Sequence, residues 1–132
     1  MTTELRRGGN FTKINIKGYL KDITNNETTT INTTALKKNQ KLSYYLDKEK
    51  YILKIISPTK LILNRQTNEI DSTLYFELNK VVPAIYIIKE NNLSLEINVR
   101  TNKFELSESY IKVSYTVIDS DTNYEYYIEM SE

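Results

Sequence analysis

Leu93-Ser94-Leu95-Glu96-Ile97-Asn98-Val99-Arg100-Thr101 alternates apolar and polar side chains without a break until Thr101. An extended chain sends successive side chains to opposite faces, so Leu93, Leu95, Ile97 and Val99 share one face and Ser94, Glu96, Asn98 and Arg100 the other. A helix would scatter the same apolar residues around its circumference, whereas a half-buried strand lines them up.

The same alternation recurs outward from this stretch. Ile14, Ile16, Gly18 and Leu20 form one face of a first strand, and Thr29, Ile31, Thr33 and Ala35 one face of a second. Leu42, Tyr44 and Leu46 mark a third. Tyr51 to Ile56 and Lys60 to Arg65 are joined by the short turn Ser57-Pro58-Thr59. Leu74, Phe76 and Leu78 mark a sixth strand; Ile111, Val113, Tyr115 and Val117 the penultimate one; Tyr126, Ile128 and Met130 the last. Val81 to Ile88 is apolar on both faces and carries Pro83, which suits a strand start or a bulge. Leu42, Tyr45, Leu46, Glu49 and Leu53 also fit a helical spacing, a competing reading for 42–53. Nothing supplies the helical crossovers of a parallel sheet. Short strands joined by hairpin-length turns predict an all-β domain over 11–132, a single closed antiparallel barrel of about 8–10 strands that leaves no exposed edges. Residues 1–10 are expected to be a flexible arm.

Composition narrows the chemistry more than it suggests any. The chain of 132 residues is 39% hydrophobic and 27% charged, with neither Cys nor His. Disulfides, thiol chemistry and zinc–thiolate sites are therefore excluded, and the commonest general base and transition-metal ligand are missing. The expectation is a non-enzymatic protein without cofactor or metal. No apolar run approaches the length of a membrane helix, and Met1 to Lys13 holds charges where a signal peptide needs an apolar core, so a cytoplasmic location is expected. Asp119-Ser120-Asp121-Thr122-Asn123 imitates the start of a calcium loop, but Tyr124 and Met130 stand where that loop needs Gly and Glu; it reads as a hairpin turn. Residues 1–66 carry 13 Lys/Arg and 5 Asp/Glu, and residues 67–132 carry 5 and 12. This asymmetry is expected to cancel locally, by interleaving of basic and acidic strands once the barrel closes.

Leu42-Ser-Tyr44-Tyr45, Leu61-Ile-Leu63-Asn-Arg65, Tyr86 followed by a turn and Leu93-Ser-Leu95-Glu-Ile97, then Thr101 and Ile111-Lys-Val113-Ser-Tyr115, occur in an order that resembles the YwiB-like family of small, uncharacterised bacterial proteins. The resemblance spans roughly residues 12–132 and implies a calycin-type, lipocalin-like barrel. It implies no activity. Two turns depart from the family pattern, with Gln66-Thr67-Asn68 and Asn91-Asn92 where glycines are expected. Asn tolerates the left-handed backbone that such turns need.

Eleven tyrosines offer large apolar bodies with polar tips. Tyr44 and Tyr115 lie in phase with the apolar faces. Arg65 is in phase with Leu61 and Leu63, which places a cation in an inward row, where it needs a carboxylate, carbonyls or an anionic ligand. With Thr101, these three are the expected lining of a ligand site in the barrel mouth, for a small apolar or anionic molecule or a peptide. The alternative is an interaction module acting as a homodimer, through strand edges or outward tyrosines such as Tyr75 and Tyr127. Single-stranded nucleic acid, held by Lys37, Lys38 and Lys41 beside Tyr44 and Tyr45, comes third.

Overall fold

A computed structural model describes residues 11–132, and the expected arm lies outside them. Ten strands follow in order: β1 Thr12–Asp22, β2 Glu27–Lys38, β3 Lys41–Leu46, β4 Glu49–Ser57, β5 Lys60–Gln66, β6 Ile70–Glu77, β7 Val81–Ile88, β8 Leu93–Leu106, β9 Tyr110–Val117 and β10 Thr122–Ser131. Each pairs antiparallel with its neighbours in the chain, and β1 pairs with β10, closing an up-and-down barrel. Among the described residues no helix is long and apolar enough to cross a membrane, which says nothing of strands.

Alternation sorts the side chains as expected except at the start of β8, where Leu93 and Leu95 of the expected buried face are exposed. Ile14, Ile16, Ile31, Ala35, Leu42, Tyr44, Leu61, Leu63, Leu74, Phe76, Val99, Ile111, Val113, Tyr115, Tyr126 and Ile128 are all buried in one core. Glycine is scarce, and the turns take the left-handed conformation with other residues. Asn26, Asn39, Asp47, Asn79, Asn92 and Asp121 all have φ between 51° and 64°. These are the residue types whose short polar side chains tolerate that region. The Asn91-Asn92 turn thus works without its expected glycine. At the other departure Thr67 is the organiser: its hydroxyl accepts from the Ile70 amide at 3.0 Å and the Glu69 amide at 3.2 Å.

Several expectations are corrected. The helical reading of 42–53 fails, because β3 and β4 form a hairpin about Asp47-Lys48 that buries Leu42, Tyr44, Tyr51 and Leu53 at period two. The sixth strand ends at Glu77; Leu78 is exposed and bridges to Thr101 instead. β8 continues past Thr101 to Leu106 through a register shift between Thr101 and Lys103. The charge asymmetry does not cancel by interleaving, since a meander keeps strands in chain order. β1–β5 make a basic half of the wall and β6–β10 an acidic half. Lys38 faces Lys41 and Lys41 faces Lys54 across strands, a row of like charges. Opposite charges meet where the halves join, Lys17 facing Glu129 and Lys21 facing Glu125 at one border and Lys60 lying 3.8 Å from Glu77 at the other.

The ladders are unequal. β2 pairs with β3 only over Leu36–Lys38, and β6 with β7 only over Ile70–Thr73. Pro83 marks neither the strand start nor a bulge: it is inside β7, in unbroken register with β8, in the part that β6 leaves unpaired, where a missing N–H costs nothing. The closing seam is long by comparison, pairing Asn15–Asp22 with Tyr124–Ser131. At its centre, Gly18 lets the backbones approach closely. A Cβ there would lie 1.8 Å from the Tyr127 carbonyl oxygen and 2.8 Å from the Ile128 Cα. Gly18→Ala must therefore push the seam apart. We expect a loss of about 3 kcal/mol or more in urea unfolding, against a change within about 0.5 kcal/mol for an exposed control such as Thr30→Ala.

Candidate functional site

The barrel has two mouths. One carries the β1–β2, β3–β4, β5–β6, β7–β8 and β9–β10 turns, and toward it the cross-strand register aligns inward side chains into a row: Tyr44 beside Tyr51, Tyr51 beside Arg65, Arg65 beside Ser72, Ser72 beside Tyr86. On the facing wall Thr101 pairs with Tyr115 and Tyr115 with Tyr124. Tyr44 stacks on Tyr51 at 4.9 Å between ring centres, and Tyr115 on Tyr124 at 5.1 Å. Phe76 tilts against Tyr115 at 5.0 Å. The Tyr44 and Tyr126 hydroxyls, both buried, share a hydrogen bond of 2.7 Å.

All four expected ligand residues point inward at this tyrosine-filled end or beneath it. Tyr44, Tyr115 and Thr101 are buried, and Thr101 Oγ1 has no hydrogen-bond partner. Arg65 is already partnered. Its Nη2 donates to Glu49 Oε1 at 2.8 Å and its Nε to the same oxygen at 3.0 Å, while the Tyr51 hydroxyl donates there at 3.0 Å. Burial opposes the guanidinium's charge, yet the Glu49 hydrogen bond and the nearby Tyr51 and Glu49 groups outweigh it, holding its pKa above the ordinary value. Sequence reasoning missed Glu49. It is in phase with Tyr51, Leu53 and Ile55, a signal masked by its place in the helical spacing of 42–53.

The opposite mouth carries the β2–β3, β4–β5, β6–β7 and β8–β9 turns, and there the packed core ends in an open recess. A cavity of about 840 Å³ opens there, floored by Leu42, Leu53, Ile55, Leu106, Ile111 and Met130. Lys37 and Lys41 stand on one side of its lip and Glu108 and Glu132 on the other, following the charge division of the wall. A smaller recess of about 450 Å³ adjoins it around Ile14 and Met130. None of Arg65, Tyr44, Tyr115 and Thr101 lines either space. Apart from Leu53, the floor residues are the endmost inward residues of their strands; alternation shows their direction but not the recess over them.

No protein-family model matches the chain, and no curated protein matches it. Among solved structures, the crystal structure of the ywiB protein from Bacillus subtilis matches with a TM-score of 0.66 at 20% identity, covering 92% of this chain and 94% of that one. The barrel is YwiB-like. That likeness is one of fold and extends over nearly the whole length of both chains.

In this YwiB-like barrel the tyrosine cluster acts as an internal brace, and two outcomes are expected from it. Tyr44→Phe or Tyr126→Phe alone strands one buried hydroxyl and should cost about 1–3 kcal/mol in urea unfolding. The double variant removes both hydroxyls and should recover most of that loss, giving a coupling of about 1 kcal/mol or more. Burial also raises the pKa of Tyr44, Tyr115 and Tyr126. Each group binds its proton more tightly folded than unfolded, so its stability contribution is whole below the unfolded value of about 10 and is lost as pH climbs toward the folded value. Stability should stay level up to about pH 9 and fall above about pH 10, with part of the tyrosinate absorbance appearing only as the chain unfolds.

Proposed function

We propose that this protein is a non-enzymatic binding barrel that takes one small amphipathic molecule, an apolar body bearing an anionic group, into the cavity floored by Leu42, Leu53, Ile55, Leu106, Ile111 and Met130. The observation that carries the reading is the cavity itself. At about 840 Å³ it falls within the range of about 300–1,000 Å³ usual for small-molecule sites. Its floor is aliphatic, so burial of an apolar body there gains about 25 cal/mol per Å² removed from water before the costs of association. Lys37 and Lys41 attract an anionic group to one side of the lip, and Glu108 and Glu132 repel it from the other, which sets the ligand's orientation.

In this reading Arg65, Tyr44, Tyr115 and Thr101 serve the ligand indirectly. They fill the far end, so that a molecule entering the recess meets a packed floor instead of a channel. Assignment to the calycin type, whose barrels hold small apolar ligands, belongs to the same proposal and rests on analogy of fold. So do a bacterial source and a cytoplasmic location.

Anilinonaphthalene sulfonate, an apolar anion, and Nile red, a neutral dye, are suitable probes. Saturable binding of one anionic dye per chain is expected. Lys37→Glu/Lys41→Glu should weaken it about tenfold and leave Nile red unchanged. Met130→Trp should reduce binding of both by filling the cavity; the chain has no other Trp, so energy transfer from the new indole also locates the dye. Absence of saturable binding, or indifference to both variants, overturns the reading.

A further inference from the structure

The stretch Leu93–Ile97 has an open side. β8 is 14 residues long and β9 only 8, and the β8–β9 ladder ends at Val99 opposite Val117. One further bond, from the Ile118 amide to the Asn98 carbonyl at 3.0 Å, closes it. Beyond that point β8 pairs with β7 alone, Ile88 opposite Leu93 and Tyr86 opposite Leu95. Backbone groups alternate in direction along a strand, so those of Ser94 and Glu96 point the same way as those of Asn98, toward the side β9 has left. Among the described residues nothing pairs with them there.

The side chains on this stretch are as unsatisfied as its backbone. Leu93 and Leu95 continue the inward face but stand beyond the barrel's rim, 47% and 43% exposed, with Ile70 beside them at 38%. Other stretches of the wall also lack a neighbour along one edge, Tyr44–Leu46 of β3 and Leu74–Glu77 of β6 among them, and two of these open stretches are protected. β2 before Leu36 carries mostly Thr and Asn, and β7 before Ile85 carries Pro83. Proline, charge and polar residues are the usual guards of an open edge. Leu93–Ile97 has only Glu96.

We propose that Leu93–Ile97 is a pairing edge for a second copy of this chain, the two β8 strands running antiparallel about a twofold axis through Leu95. The sequence is self-complementary in that register. Leu95 meets Leu95 of the second copy as a close non-hydrogen-bonded pair, Leu93 meets Ile97, and Ser94 meets Glu96 as a hydrogen-bonded pair that uses the open amides and carbonyls on both sides. A register centred on Glu96 instead sets two carboxylates directly opposite, which is destabilising. Centring on Leu95 also brings the turn at Glu90 of the second copy toward Arg100, a favourable pairing of charge. The apolar faces of the two copies then merge into one strip. This interface is independent of the ligand cavity, which lies at the opposite mouth.

Light scattering after size exclusion should report a dimer whose population rises with concentration. Glu96→Pro removes one open N–H that has no partner among the described residues, so the barrel should keep its unfolding midpoint while dimer affinity drops at least about tenfold. Because the chain has no Cys, Leu95→Cys places one thiol per copy on the proposed axis, and mild oxidation should cross-link it to itself. Thr30→Cys, on another open strand, should not cross-link. A chain that stays monomeric at high concentration, with Leu95→Cys failing to cross-link, overturns the proposal. So does a dimer that Glu96→Pro leaves intact.

Discussion

Hydrogen bonding between β1 and β10 turns a ten-strand meander into a ring, and the interior exists only because that ring is complete. Asn15–Asp22 and Tyr124–Ser131 join along most of their length, and Gly18 permits the contact by offering no side chain where the Tyr127 carbonyl passes. With the seam made, the inward side of every strand becomes a wall of one compartment. What fills the compartment then differs from end to end. Toward one mouth stacked tyrosines and the Arg65–Glu49 pair occupy it; toward the other, Leu42, Leu53 and Ile111 pack into the core and an open recess lies over them.

The ring also decides how charge is distributed. In a Greek-key barrel, strands distant in sequence would alternate around the wall and mix their charges. Here chain order and spatial order coincide, so the excess of lysine in the first half of the sequence stays on one side of the molecule. Lys38, Lys41 and Lys54 lie side by side in consequence. The recessed mouth carries both signs on its lip, lysines from β2 and β3 and glutamates from beyond β8 and β10.

Much of this was legible in the sequence, because period-two alternation depends on nothing beyond the pleat. Val81–Ile88 and the turn at Asn91-Asn92 are where the residues place them, and Tyr44, Tyr115, Thr101 and Arg65 all point inward as their phase demands. The illegible parts are those that depend on pairs of strands. Glu49 matters because register sets it near Arg65, sixteen residues away. The continuation of β8 is hidden by a register shift that breaks the alternation at Thr101. The unequal lengths of β8 and β9 leave an edge that neither strand reveals alone. The recess, likewise, is formed by turns and strand ends that meet only in the closed ring.

Closure of a strictly sequential ring has a topological consequence. Every neighbour relation but one is local, and the exception joins the strands that carry the two ends of the described chain. The arrangement is cyclic, with no strand that must come first. Loop-closure entropy grows by about 0.6 kcal/mol for each doubling of length, so closing β1 on β10 across nearly the whole described chain costs roughly 3 kcal/mol more than closing a hairpin turn. Linking the ends and cutting instead at Asn91-Asn92, Asp47-Lys48 or any other turn would leave the neighbours of every strand unchanged. The barrel is in this sense a circular permutation of itself, and its order of synthesis is separable from its architecture.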